Sequence, residues 1–332
     1  MDWTEIKDSL DAPSLGPTLT AARDCIHRCM WADWWDWSVG SRPLFWRWPH
    51  ESQEWAREGL PMARNGQLKP YPRPQPPEKN PDVVVAVQNK FEKFRSRGYV
   101  TNGNVESLTC FFAVPKGEGD IRLVFDGTKS GWNDVLWAPS FTLPSLSSLL
   151  YTLEPGTWMA DIDVAEMFYN FLLDPAVQPL CGVDLLPYFS ELTTWERWTR
   201  CVMGLKPSPH GCIRMDLLGD EVNKGNHLSP DNPFYYDRLR LNLPGAPDYN
   251  PSLPWVSKVN SKTGRIAGDV KTYVDDKRPM GSSYEHCRQV ARRTASTLSY
   301  LGLQDASRKR EAPSLRAGAW SGVVCHTDQE AV

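Results

Sequence analysis

The sequence predicts an α+β fold in which antiparallel hairpins pack against amphipathic helices. Two observations carry this. Leu108–Pro115, a glycine-rich turn at Lys116–Asp120, and Ile121–Asp126 read as strand, turn, strand, and Asp269–Pro279 repeats the pattern around a tight turn. Three further stretches, Pro81–Arg97, Ser208–Val222 and Tyr284–Leu301, carry apolar residues at helical spacing.

Composition sets the frame. A chain of 332 residues suits two domains or one multi-lobed enzyme on a prior of ~150 residues per domain. The net charge of −3 advertises no global field toward a polyanion, but Lys258 to Arg310 holds twelve Lys/Arg against five Asp/Glu, a balance that suits a nucleic-acid surface or a solvated helix face. Twenty-eight prolines and fifteen tryptophans predict many extended connections. The eight cysteines are scattered; only Cys25 and Cys29 are close, with His27 between them, and no second ligand pair follows as a zinc site requires. They read as reduced thiols of an intracellular protein, cytoplasmic or nuclear. Met1–Lys7 lacks a signal pattern, and no apolar run approaches the ~20 residues of a membrane span.

From the N-terminus, residues 1–69 form a Trp-rich accessory region. Trp31, Trp34, Trp35, Trp37, Trp46, Trp48 and Trp55 are interleaved with Arg42, Arg47 and Arg57. Such a mixture can stack on bases; a layer packed on the main domain is the plainer reading. Pro70–Pro77 is polyproline-like, and 70–81 reads as a linker. A helix then starts with Asn80 as N-cap and Pro81 in first position. Val84, Val87, Phe91 and Phe94 make its apolar stripe, Arg95 and Arg97 suit its last turn, and Gly98 stops it. Lys116 and Arg122 flank the first hairpin's turn. Both can reach a triphosphate, Arg by a bidentate grip and Lys as a point charge, although cations beside turns are common.

Phe141–Leu150 reads as a loop into a short helix. Thr157–Asp163 reads as a buried strand ending in acids, followed by Val164–Tyr169. Asp161 and Asp163 share one strand face, so strand geometry does not say which binds a metal. Met203–Pro209 is a turn feeding a helix, with Ser208 as N-cap, Pro209 in first position, and Gly204 permitting close approach of backbone to a ligand. Residues 224–254 read as an inserted surface loop. Trp255–Asn260 and Arg265–Val274 flank Ser261–Gly264 as a hairpin. Tyr284–Tyr300 is an amphipathic helix with Arg288, Arg292 and Arg293 facing out and Gly302 ending it. Ala317–His326 is strand-like, and 327–332 is a tail.

The second hairpin carries the chemistry. Tyr273-Val274-Asp275-Asp276 sets two repelling acids side by side. A hard divalent cation takes carboxylate oxygens, and two such ions about 3.5–4 Å apart serve phosphoryl and nucleotidyl transfer. For these four residues alone, a solvated turn explains the pattern as well.

Lys116/Arg122, Asp163 with Phe168, Met203 to Pro209 and Tyr273 to Asp276, in this order, resemble reverse transcriptases of retroviruses and long-terminal-repeat retrotransposons. The resemblance covers 82–326. It implies a right-hand polymerase palm, an antiparallel sheet with packed helices, plus fingers, with the thumb absent or truncated. In that family the first metal-binding Asp lies five residues before an aromatic gate; Asp163 and Phe168 have that spacing. The resemblance then implies that Asp163, Asp275 and Asp276, helped by the Val164 carbonyl, hold two Mg²⁺ (Mn²⁺ as substitute). It implies dNTP substrates and an RNA or DNA template with a nucleic-acid primer. Lys116 and Arg122 match the triphosphate contacts, Met203 and Gly204 the nucleotide site, and Ser208, Pro209 and Tyr273 the template and primer. Phe168 matches the ring that leaves no room for a 2′-hydroxyl; RNA-dependent RNA polymerases usually carry a second Asp there, and its absence argues against the alternative of a primer-dependent RNA polymerase. Leu301–Leu303 and Ala319–Val324 loosely resemble later palm elements. The chain departs from the pattern at Gly127-Thr128, where a bulky residue and Arg are usual, and at Met203, where retroviral members carry Gln. An inactive or domesticated nucleic-acid-binding relic competes with the enzyme reading; retention of all three acids and the gate favours the enzyme.

Overall fold

A computed structural model describes residues 48–117, 120–143, 145, 151–306 and 309–328. Most of the Trp-rich region, the Cys25–His27–Cys29 cluster, the helix expected before Leu150 and the last four residues lie outside these.

The aromatic stripe organises the core. Helix α1 is His50–Glu58 and α2 is Pro81–Ser96. The Asn80 side chain accepts from the Asp82 N–H at 3.0 Å, and Pro81 sits in the first turn, where its missing N–H is no loss. Val87, Phe91 and Phe94 are buried. Phe91 and Phe94 meet Trp198 at 5.9 and 5.4 Å between ring centroids, and Trp198 also contacts Phe125 and Tyr169. Such tilted and edge-on pairs contribute about 0.5–1.5 kcal/mol each beyond area burial. Gly98, at φ +66°, ends the helix as expected.

Strands β1 (Val100–Asn102), β2 (Phe111–Pro115) and β3 (Ile121–Phe125) follow, then α3 (Trp132–Val135), β4 (Trp158–Met159), β5 (Ile162–Asp163), β6 (Gly182–Val183) and β7 (Glu196–Trp198). Helix α4 is Ser208–Lys224; β8 (Arg238–Leu241), β9 (Val256–Val259), β10 (Asp269–Tyr273), β11 (Asp276–Gly281) and α5 (Tyr284–Tyr300) complete the order. These strands pair antiparallel throughout. One sheet runs β10-β11-β4 with β5 also on β11, a second runs β1-β7-β6, and β2–β3 and β8–β9 are hairpins. The predicted α+β mixture of antiparallel sheets and packed helices is therefore the observed one. Helix α5 lies on β11, where the Cys287 thiol donates to the Pro279 carbonyl at 3.5 Å. A Cβ on Gly281 would stand 2.4 Å from the Cys287 nitrogen, so only glycine lets helix and strand approach this closely.

Several local expectations change. Residues 224–254 are not all loop: they supply β8, which takes β9 as its partner, while the 255–274 hairpin keeps a single bridge, Val259 to Ile266. The strand expected over 157–163 is split into β4 and β5: Ala160 donates to the Pro279 carbonyl of β11 at 3.0 Å, but proline has no N–H to return the bond. Ala317–His326 forms turns, with one bridge between Trp320 and Val323, not a strand. Arg293 turns inward and donates to the Asn223 carbonyl at 2.7 Å. Ser208 does not cap α4: it is the first helical residue, and its hydroxyl makes no capping bond.

The extended 70–77 segment lies on the fold. The Gln75 backbone donates to Asp184 at 2.9 Å, and its amide bonds the Phe111 backbone as donor and acceptor. Upstream, Leu60, Met62 and Leu68 join the main core. The six described cysteines are buried thiols without disulfides. No described helix is long and apolar enough to cross a membrane.

Candidate active site

The β10–β11 hairpin and β5 bring the acids together. Register places Asp276 opposite Asp163 and Lys277 opposite Ile162, and the Val164 N–H donates to the Asp275 carbonyl at 2.9 Å. The connection is a two-residue turn, Val274-Asp275. Val274 has φ +59°, and Asp275 is not among the positive-φ residues. That is the pattern of a type II′ turn, whose first central position favours glycine. A β-branched residue there costs on the order of 1–3 kcal/mol, and strain of this kind clusters at functional sites.

Arg278 gives Asp161 surroundings different from those of Asp163. Its guanidinium holds both Asp161 oxygens, at 2.9 and 3.1 Å, and so removes that acid from the cleft. Asp163 instead lines a cleft of about 580 Å³ together with Val164, Phe168, Met203, Asp275, Lys116 and Arg122. Asp276, Gly204, Ser208, Pro209 and Tyr273 are not in its lining. Asp276 lies one residue past Asp275 and accepts from the Ser321 hydroxyl at 3.3 Å. Tyr273 packs edge-on against Trp320.

Lys116 and Arg122 both line the cleft, Arg122 on β3 opposite Val114 of β2. Phe168 sits in a 3₁₀ turn, Met167–Asn170, directly after the acid strand. The Met203-Gly204 segment is fastened to β3 by the Phe125 N–H, which donates to the Met203 carbonyl at 3.2 Å. Asn133 of α3 donates to the Gly204 carbonyl and accepts from the Lys206 N–H, both at 2.9 Å. Gly204 has φ +111°, and a Cβ would stand 2.0 Å from the Phe125 oxygen.

Some cleft residues were missed by sequence reasoning. Lys309 forms an ion pair with Asp163. Glu166, at φ +52°, is held by Lys93 at 2.8 Å and Arg97 at 2.7 Å, so α2 supplies cations to the same rim. Lys309 stood within the basic C-terminal third, a signal too diffuse to single it out. Glu166 carried no signal.

Burial pushes the Asp275 carboxyl up, with the Asp163 charge adding to it; for Asp276 burial acts first, then the charges of Asp275 and Asp163. A divalent cation would relieve this repulsion, and the donors are all carboxylate oxygens, so in kind they fit a hard metal. Among the described residues no three acidic, His or Cys side chains converge on one point. The Lys309 ammonium and a metal ion would compete for the same Asp163 carboxylate.

No family model matches the chain, and no curated protein matches it. Solved structures do. The native prototype foamy virus protease–reverse transcriptase is 17% identical, with 76% of this chain and 28% of that one covered at a TM-score of 0.48. The foamy viral protease–reverse transcriptase dRH in complex with double-stranded DNA gives 15% identity, 81% and 42% coverage and 0.49. The foamy viral protein in complex with an RNA/DNA hybrid gives 16%, 76%, 28% and 0.49. This chain thus spans less than half the length of those proteins.

Proposed function

We propose that this chain is a reverse-transcriptase-type nucleotidyltransferase that extends a nucleic-acid primer with dNTPs on an RNA or DNA template, as part of a retroelement. One observation carries the reading: Asp163, Asp275, Lys116, Arg122 and Phe168 all line one cleft.

In this reading Lys116 and Arg122 bind the triphosphate, Arg122 by paired N–H donors and Lys116 as a point charge. Phe168 walls the sugar and excludes a 2′-hydroxyl. Met203 lines the pocket, and Gly204, packed closely on the Phe125 backbone, holds it there. Ser208 and Pro209, at the start of α4, and Tyr273 orient template and primer. Asp163, Asp275 and Asp276, with the Val164 carbonyl, would hold two Mg²⁺, or Mn²⁺. When bound, such ions activate the primer 3′-hydroxyl and neutralise charge on the phosphates during in-line displacement of pyrophosphate. The acids keep those ions in register; no protein covalent intermediate is needed.

The test is single-nucleotide extension of a DNA primer on an RNA template by the purified 332-residue protein. Mg²⁺-dependent extension is expected, lost in Asp275→Asn. Binding of the template–primer with no extension would identify a nucleic-acid-binding protein without catalysis. Equal use of ribo- and deoxynucleotides would overturn the Phe168 assignment and favour an RNA polymerase.

A further inference from the structure

Strand β11 carries two cations directly after the acid pair, and both are buried: Lys277 and Arg278 are each 1% exposed. A buried ammonium is unfavourable unless paired. Lys277 Nζ donates to Asp216 Oδ2 and Asp220 Oδ1, both at 2.7 Å, and to Thr272 Oγ1 at 3.3 Å. The Thr272 hydroxyl donates in turn to Asp220 Oδ2 at 2.6 Å. Asp216 and Asp220 lie one turn apart on α4 and so face the same way. Thr272 is the cross-strand partner of Lys277, one pair before Tyr273 and Asp276. The network therefore grips both strands of the hairpin one pair back from the pair that closes the turn. On the opposite face of β11, Arg278 holds Asp161 and donates to the Gly318 carbonyl at 2.7 Å.

Stability alone is a poor account of this arrangement. Two carboxylates around one ammonium leave a surplus negative charge in a buried place, and Asp216 Oδ1 has no partner. Burial, with the Asp220 charge added, pushes the Asp216 carboxyl up to about 6 despite Lys277. Apolar side chains of similar volume are often as stable as a buried ion pair or more so. Directional bonds do what apolar packing does not: they fix position. The turn needs that, because it joins a left-handed Val274 to two repelling acids, and locally unfavourable geometry persists only when its surroundings over-determine it.

We propose that Lys277, fastened between Asp216 and Asp220, is a positioning residue that sets the depth and orientation of the Asp275–Asp276 turn against Asp163. Its catalytic consequence rests on the polymerase reading; its effect on the hairpin does not.

The experiment compares the full chain with Lys277→Met by hydrogen exchange, by Mn²⁺ binding followed by electron paramagnetic resonance, and by single-nucleotide extension. In Lys277→Met the amides of 270–277 are expected to exchange about tenfold faster, with those of 111–125 unchanged. Mn²⁺ affinity falls about tenfold, and kcat falls on the order of 10²-fold with the dNTP KM nearly constant, the signature of misplaced rather than missing groups. Should Lys277→Met fail to fold, the apolar variant Lys277→Met/Asp216→Leu/Asp220→Leu restores packing without the directional bonds; it is expected to be stable but to show the same loosened hairpin and weakened Mn²⁺ binding. Parental hairpin exchange and parental Mn²⁺ affinity in a folded variant would overturn the proposal. A parent inert toward dNTPs whose hairpin nonetheless loosens in Lys277→Met would sink the polymerase reading and leave the positioning role standing.

Discussion

Two hairpins follow one another along the chain and are built in opposite ways. In β8–β9, Leu239, Leu241, Trp255 and Val256 are each at least half exposed. Its cation Arg240 reaches Glu154 at 2.7 Å but stays 40% exposed. In β10–β11, Val270, Lys277, Arg278 and Met280 are all buried. Both are antiparallel pairs with tight registers. The difference is that the second must hold a strained, like-charged turn in one place. The first carries no such turn and leaves Leu239, Leu241 and Val256 in water, with Val259 buried. In this pair of hairpins, charges are buried where geometry has to be kept and left at the surface where it does not.

The sharpest way to break this contrast is to remove one guanidinium from each hairpin. Arg278→Met leaves Asp161 facing a vanished partner, and removing one member of a buried pair costs about 3 kcal/mol or more. Arg240→Met removes a partly exposed pair and is expected to cost under about 1 kcal/mol. Urea denaturation of both variants measures the difference; equal midpoints would mean that the buried charge does not hold the hairpin.

A smaller gap is expected between apolar truncations. Met280 packs with Met159, Ala317 and Cys325, so Met280→Ala should cost about 2 kcal/mol or somewhat more. Leu241, 57% exposed, should change stability by no more than about 0.5 kcal/mol when made Ala. Thermal unfolding reads both, and a large loss at Leu241 would show that the β8–β9 face is covered by something in solution.

The strongly periodic parts were legible in the sequence. The Phe91/Phe94 stripe, the capped start at Asn80 and the helix Tyr284–Tyr300 depend on local spacing and local bonds, and they appear as expected. So does the Asp269–Gly281 hairpin, whose turn separates two β-rich runs. Strand β8 was not legible, because Arg238–Leu241 is short and lies among prolines and asparagines; only its partner β9 makes it a strand. The pairing of Asp161 with Arg278 was equally invisible, since the two lie 117 residues apart in sequence. In the sequence Lys277 is only one of the twelve cations between Lys258 and Arg310. Its burial follows from where α4 sets Asp216 and Asp220, and no local pattern reports that.

The smallest effect expected concerns the acids themselves. Asp276 is half-buried, and burial first, then Asp275 and Asp163, push its carboxyl up. A carboxyl raised in the folded state holds its proton more tightly there than in the unfolded chain. Stability therefore falls as pH rises from the ordinary carboxylate range through the folded value, and the penalty is complete above it. Asp276→Asn removes that penalty while its side-chain oxygen still accepts from Ser321. The variant should be more stable than the parent at neutral pH, as is common where a functional site carries like charges. The advantage should shrink as pH falls and vanish below the ordinary carboxylate range. Thermal unfolding of parent and variant across that range tests it. An advantage that grew toward acid would mean that Asp276 is held by a cation in the folded chain, and that the charge on this hairpin is balanced at the turn as well as beneath it.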